Sequence, residues 1–321
     1  MNRVSVCLLC YQQIRKDESL YHQSCCKKFY GKIKPPELPY NFNELDELAK
    51  NIVRSSVTVP GVQAKLSLHL AERGKEAERL TLVGLWGNYI LKPPIQKYPH
   101  MPEIEDLTMH LASFFKIETV PHGLIPLKSG ELAYITKRID RDKKGFKLHM
   151  EDMCQLTERL TEDKYKGSME QIAKAILKFA SNPVLDVIRF FEVTLFSFIT
   201  GNADMHLKNF SLIHDKQTLI HLSPAYDMLS TRMLISEKDD PEELALTLNG
   251  KKSKFNLIDF VKFAENIGLT ERQFQNSMKR FQNGFELAIS FINKSLLTEE
   301  KSQEFKELLN ERAEKLELGI S

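Results

Sequence analysis

The stretch PVLDVIRFFEVTLFSFIT, residues 183–200, is apolar on nearly every side of a helix. A helix of that kind needs neighbours all round, which only the middle of a helical assembly offers. Its run at residues 190–200 contains Glu192 and is too short to span a bilayer, so protein rather than lipid must surround it. The run stops at Gly201, and GNADMHLKNF then crowds Asp204, His206, Lys208 and Asn209 together. Such a cluster, delivered by a buried helix, is either a polar turn or a loop that carries out chemistry.

Upstream the pattern changes period. VTVPGVQAKLSLHL (57–70) alternates apolar and polar residues around Pro60-Gly61. RLTLVGLWGNYILKPP (79–94) reads as a hairpin with its turn at Trp86-Gly87-Asn88, closed by Pro93-Pro94. PEIEDLTMHLASFFKI (102–117) predicts a helix with Pro102 near its start, and ELAYITKRID (131–140) a further strand. FNELDELAKNIVRSS (42–56) predicts a short helix, preceded by KIKPPELPY (32–40), an extended linker. Downstream, MEDMCQLTERL (150–160) and SMEQIAKAILKFA (168–180) predict helices around the central one. FSLIHDKQTLIHLSPAYD (210–227) gives two short strands about His214-Asp215-Lys216, and amphipathic helices follow residue 254. The expected class is α+β, with three segments at 1–31, 32–140 and 141–321.

The charge balance excludes some partners. With 45 basic and 43 acidic side chains, net +2, the chain has no strong overall electrostatic footprint for nucleic acid or a membrane surface, a local basic patch remaining open. VSVCLLC (4–10) is too short for a secretory leader and holds two cysteines, so a cytoplasmic protein is expected. Cys7, Cys10, Cys25 and Cys26 all fall in the first 26 residues. In a reducing compartment, clustered thiols suggest metal rather than disulfides. CLLC (7–10) and HQSC (22–25) give C-x2-C-x11-H-x2-C, two tight knuckles suited to a tetrahedral, structural zinc on Cys7, Cys10, His22 and Cys25, with Cys26 surplus. The alternative is a set of buried thiols without metal.

The polar loop supports a specific chemistry. Asp204 and Asn209 have the Asp-x4-Asn spacing of phosphotransfer loops: the acid accepts or orients an attacking hydroxyl, and the amide oxygen binds a magnesium ion on the nucleotide. Lys208 offsets charge on the transferred group. A second metal-binding acid should follow shortly, and Asp227 stands after the predicted hairpin, which would return it beside Asn209. Upstream, Lys92 on a strand and Glu105 on the next helix match a phosphate-contacting lysine held by a glutamate. The phosphate-covering segment SSVTVPGVQAK (55–65) has one glycine, so it lacks a Gly-rich or P-loop pattern. Hydroxyls at Ser55, Ser56 and Thr58, flexibility at Gly61, and Gln63 and Lys65 beyond could still engage phosphates.

Taken together, VTVPGVQAKLSL, NYILKPP, IEDLTMHLA, ITKRIDR, HMEDMCQL, GNADMHLKNFSL and SPAYDML, in that order over roughly residues 50–315, resemble the HipA family of bacterial serine/threonine kinases, the toxins of type II toxin–antitoxin systems. The resemblance implies a two-lobed protein-kinase-like fold that binds ATP and magnesium and phosphorylates a protein hydroxyl, aminoacyl-tRNA synthetases being the known targets. It implies Asp204 as the catalytic acid, Asn209 and Asp227 as the magnesium ligands, and Lys92 on the phosphates supported by Glu105, while Lys208 fits the polar pattern of the catalytic loop. It also implies Thr136, Lys137, Arg138 and Ile139 as the adenine-pairing hinge, with His206 in the nucleotide-binding set. Cys154 and Gln155 are family-like and expected to be structural. Long family members carry an N-terminal subdomain before the phosphate loop; this chain is similar to the short HipT type, whose missing subdomain is a separate, HipS-like protein. The implied partners are that protein and a HipB-like helix-turn-helix antitoxin, through which DNA would be contacted only indirectly. Thr58, or Ser56 beside it, is expected to be autophosphorylated as an off switch, because a phosphate puts negative charge where ATP must place its own. Two other classes remain open: a small-molecule kinase of antibiotic or lipid type, and an inactive regulatory binding module.

Overall fold

Alternation in LSLHLA does produce a strand, β1 (Leu66–Ala71), with Leu66 and Leu68 buried on one face. The computed structural model describes residues 6–15, 20–55, 64–71, 79–83, 87–142 and 145–319, with main chain alone at 49–55. The chain divides into two compact units. The first comprises Met1–Asp106, Val120–Phe146 and Lys294–Leu296; the second comprises Leu107–Thr119, Lys147–Asn293 and Leu297–Ser321.

The first unit holds α1 (Gln23–Tyr30), α2 (Phe42–Ser55) and a five-stranded antiparallel sheet. Its strands are β1, β2 (Arg79–Leu82), β3 (Tyr89–Lys92), β4 (His122–Pro126) and β5 (Leu132–Lys137), in the order β2-β1-β3-β5-β4. The expected hairpin between β2 and β3 is not formed: both pair with β1, one on each side. Alternation reports which face of a strand is buried, not which strand lies beside it. Here Ser67 decides the path, since its carbonyl accepts from Val83 N–H at 3.0 Å and its hydroxyl from Gly87 N–H at 3.1 Å. The proline-rich linker is extended as expected and joins this edge, the Glu37 carbonyl accepting from Leu80 N–H at 2.9 Å. Neither helix α1 nor strand β4 was among the expected elements.

Helix α3 (Met101–Ala112) contains the division between the units and opens with Pro102 in its first turn. The second unit is mostly helical. It holds α4 (Met153–Leu156), α5 (Met169–Phe179), α6 (Pro183–Ile199), α7 (Leu257–Asn266), α8 (Glu271–Ile292) and α9 (Glu299–Lys315). A small sheet, β6-β7-β8, is built from Met150–Asp152, Ser211–His214 and Ile220–Leu222. The predicted helix over residues 150–160 is instead the strand β6 followed by a single helical turn. Met150–Asp152 is drawn into the ladder by β7, and Asp152 then caps α4 in a reciprocal box with Gln155.

Helix α6 is central, as its composition demands. Phe190, Phe191, Phe196 and Phe198 are fully buried. They meet Phe210, Phe263, Phe274, Phe115, Phe255 and Phe260 at ring separations of 5.1–6.2 Å. At about 1.5–3 kcal/mol for each large apolar side chain removed from water, this aromatic layer outweighs any single polar contact in the unit. Glu192, the acid within the apolar run, is accommodated by Ser277 and Arg280 of α8.

Candidate active site

The end of α6 sets the loop. Thr200 caps it, and Gly201 takes a left-handed backbone at φ +64°, where a β-carbon would meet the Arg232 side chain at 2.8 Å. Glycine is thus required at the turn for both conformation and space. Asn202 is buried, and its side-chain oxygen accepts from Asp204 N–H at 3.1 Å. Thr231 accepts from Ala203 N–H at 2.9 Å. These bonds fix the chain on either side of Asp204 before any ligand arrives.

Asp204 and Asn209 belong to one tight turn. His206 N–H donates to the Asp204 carbonyl at 2.8 Å, and Asn209 Nδ2 donates to the same oxygen at 2.9 Å. With its nitrogen so committed, the buried Asn209 amide keeps Oδ1 as its acceptor. Leu207–Asn209 forms a 3₁₀ turn, and Phe210 leads straight into β7. The β7–β8 hairpin brings the chain back, and the Tyr226 hydroxyl reaches the Lys208 carbonyl at 2.9 Å and Ser211 Oγ at 2.6 Å. Asp227 follows at φ +60°, a left-handed conformation uncommon outside glycine and less costly for Asp than for most residues.

Sequence reasoning missed two residues here. Tyr165 donates its hydroxyl to Asp204 Oδ1 at 2.6 Å and sets its ring edge-on to buried His206 at 5.0 Å. Its phenol is held above the usual range by burial first, then by the carboxylates of Asp204, Asp227 and Asp240. Asp152 pairs with Lys208 at 2.6 Å while also capping α4. The D-x-x-Q capping signature at 152–155 was the available signal for Asp152; nothing local marked Tyr165.

In the first unit, Lys92 and Glu105 form a direct ion pair, with both side chains buried. Lys92 stands opposite Tyr134 in the β3–β5 register and lies 5.3 Å from that ring. The segment at residues 136–139 continues β5. The Thr136 hydroxyl donates to the Pro121 carbonyl at 3.0 Å, Lys137 N–H to the same carbonyl at 2.9 Å, and Arg138 N–H to the Asn88 carbonyl at 2.9 Å. These three donors are thus already engaged by backbone carbonyls of the same unit. Arg138 and Arg141 both grip Asp140; burial alone would raise its carboxyl, but the two guanidiniums hold it below the ordinary value. Lys65 is exposed just ahead of β1. Ser56, Thr58, Gly61 and Gln63 lie outside the described residues. Cys154 is buried, its thiol raised by burial.

Asp204, Asn209 and Asp227 carry two carboxylates and an amide oxygen, hard groups of the kind magnesium takes and a soft metal does not. The knuckle residues converge: the ligand atoms of Cys7, Cys10, His22 and Cys25 lie within 4.8 Å of one another. Cys26 is buried outside that group, its thiol pushed up to about 12 by burial and then by Cys7 and Cys25. Among the described residues, no helix is long and apolar enough to cross a membrane.

The comparisons follow the same lines. A curated putative kinase of Haemophilus influenzae is 29% identical over 84% of this chain and 84% of its own length. A putative kinase of Sinorhizobium fredii is 31% identical over 70% of the chain, and the serine/threonine-protein kinase toxin HipA of Shewanella oneidensis is 24% identical over 74%. The chain spans 57% of the length of each of these last two. Among solved structures, the Shewanella oneidensis HipA, HipB and operator DNA complex superposes with a TM-score of 0.68 at 22% identity, over 87% of this chain and 72% of that one. A Helicobacter pylori proinflammatory kinase, CtkA, superposes with a TM-score of 0.55 at 15% identity, over 79% of this chain and 94% of that one. The mixed α/β architecture is thus that of the HipA kinase fold. The model of the HipA-like C-terminal domain matches residues 57–289, and the chain belongs to that family.

Proposed function

We propose that this protein is an ATP-dependent serine/threonine protein kinase of the HipA type, acting as the toxin of a toxin–antitoxin pair. The single observation that carries this reading is the turn at 204–209, where one carbonyl ties the acid to the amide, with the Asp227 charge close by. Magnesium-bound ATP, when held there by Asn209 and Asp227, supplies an electrophilic phosphoryl group. Asp204 accepts the proton of the attacking hydroxyl, as it already accepts the Tyr165 hydroxyl at 2.6 Å. Lys208, half-exposed on Asp152, has the reach to turn toward charge building on the transferred oxygens. Lys92, fixed by Glu105, holds the nucleotide phosphates in one position instead of sampling many.

The acceptor is read as a serine or threonine of a translation component such as an aminoacyl-tRNA synthetase. A HipB-like helix-turn-helix protein, the partner in the Shewanella complex, would serve as antitoxin, and a small HipS-like protein as a second partner. Autophosphorylation at Thr58, or at Ser56, would silence the kinase.

Purified protein given labelled ATP, with either a panel of aminoacyl-tRNA synthetases or a panel of aminoglycosides and lipids, tests the reading. Label on a protein hydroxyl, lost in Asp204→Asn, is expected. Transfer only to a small alcohol makes it a small-molecule kinase, and no turnover from folded, unphosphorylated protein makes it a binding module.

A further inference from the structure

Cys7, Cys10, His22 and Cys25 gather four ligand atoms in one place, and residues beside them attach this knuckle to the sheet. Cys10 Sγ lies 3.4 Å from His22 Nδ1, and Cys25 Sγ lies 3.8 Å from the same nitrogen. With Zn–S bonds of about 2.3 Å and Zn–N bonds of about 2.0–2.1 Å, a tetrahedron has S···N edges of about 3.5 Å. The spacing is therefore that of ligands around one ion, and the described cysteines are free thiols.

The imidazole is oriented for the same task. His22 Nε2 lies 2.9 Å from the Gln13 carbonyl, an acceptor, so Nε2 carries the proton and Nδ1 presents a lone pair to the thiols. His22 N–H also points at Cys7 Sγ at 3.4 Å, which stabilises that sulfur as a thiolate. Carbonyl-fixed tautomer, backbone N–H on sulfur and four convergent ligand atoms are independent features, and a packed cluster of inert thiols requires none of them.

Leu8 and Leu9, between the first two ligands, meet β4, the outer strand of the five-stranded sheet. The Leu8 carbonyl accepts from Leu124 N–H at 2.9 Å, and the Tyr21 hydroxyl, next to His22, donates to the Leu124 carbonyl at 2.9 Å. Leu9 packs so closely on Gly123 that a β-carbon there would come within 2.3 Å of its side chain. The knuckle thereby covers an edge that would otherwise offer unpaired backbone groups. On the same strand His122 Nδ1 meets Asp106 Oδ1 at 2.6 Å, next to Glu105 on α3.

We propose that Cys7, Cys10, His22 and Cys25 bind one structural zinc ion, and that this ion holds the knuckle as a clamp on edge strand β4. Four protein ligands fill the tetrahedron, so the ion has no open position for chemistry. The proposal does not depend on the phosphotransfer reading, since neither of its readouts is activity.

The test uses the full chain purified without added metal. Elemental analysis should find about one zinc per chain, with Cys10→Ser reducing it to below about a tenth and His22→Cys and Cys26→Ser leaving it intact. Hydrogen exchange then compares zinc-loaded and chelator-stripped wild type. Stripping should speed exchange in the peptide covering His122–Pro126 by about tenfold or more, while Ser211–His214 in the other unit stays unchanged. Absence of zinc in the wild type, together with no uptake of zinc chloride after reduction, overturns the site. Zinc bound with no change in the β4 peptide overturns the clamp. Stripping and reloading the wild type keeps the question decidable if Cys10→Ser fails to fold.

Discussion

Two lysine–carboxylate pairs, one in each unit, make similar contacts under very different conditions. Lys92 and Glu105 have side chains 4% and 0% exposed, whereas Lys208 and Asp152 are 34% and 15% exposed. A pair sealed from water cannot separate without leaving a charge stranded in low dielectric. A pair at the surface is screened and exchanges partners cheaply. The first is therefore a brace within its unit, and the second a contact that water can reach and that costs less to break. Similar ion pairs thus differ in strength through burial.

The largest expected effect tests the loop that carries Lys208. Asp204→Asn should lower phosphoryl transfer by about 10²–10⁴-fold with the unfolding midpoint unchanged, since only the proton acceptor is lost. Next comes the brace: Glu105→Gln should cost about 3–5 kcal/mol of unfolding free energy in urea titration, because it removes the carboxylate from a buried ion pair. A loss under about 1 kcal/mol would mean that the pair is no more fixed than a surface one, and the contrast would fail. Lys208→Met should change stability by no more than about 1 kcal/mol while reducing single-turnover transfer by about 10²–10³-fold. A large stability loss with normal transfer would mean that Lys208 belongs to Asp152 and not to the reaction.

The smallest effect concerns pH. Asp140 titrates below its ordinary value in the folded chain because of Arg138 and Arg141. Its contribution is present above the unfolded carboxyl value of about 3.9 and is lost as pH falls through the lowered folded one. Thermal melts of wild type and Asp140→Asn should differ modestly at pH 6 and converge toward pH 3. A difference that grows on acidification would give the contact the opposite sign.

What could be read from the sequence divides along physical lines. Helix α6 was legible because an apolar surface on every side leaves one place for a helix, and α7, α8 and α9 because their apolar stripes repeat at the helical period. The return of the β7–β8 hairpin was legible because it is short and local. Strand order was not: β2 and β3 show the right alternation but pair with β1, and alternation carries no partner label. The segment at 150–160 misled because Met153 and Cys154 are apolar enough for a helix, while the ladder to β7 was formed by residues about sixty positions away. Of the candidate site, Asp204 and Asn209 share one loop and declare themselves by spacing. Tyr165 and Asp152 reach that loop across 39 and 56 residues, so only tertiary structure brings them there.

The central claim is that Asp204, Asn209 and Asp227 form a magnesium–nucleotide site. Calorimetric titration of ATP with and without magnesium, on wild type and on Asp227→Asn of equal thermal stability, tests it most directly. Tighter binding with magnesium in the wild type, with that gain lost in Asp227→Asn, is the predicted result. The same magnesium-dependent gain in both proteins would contradict it.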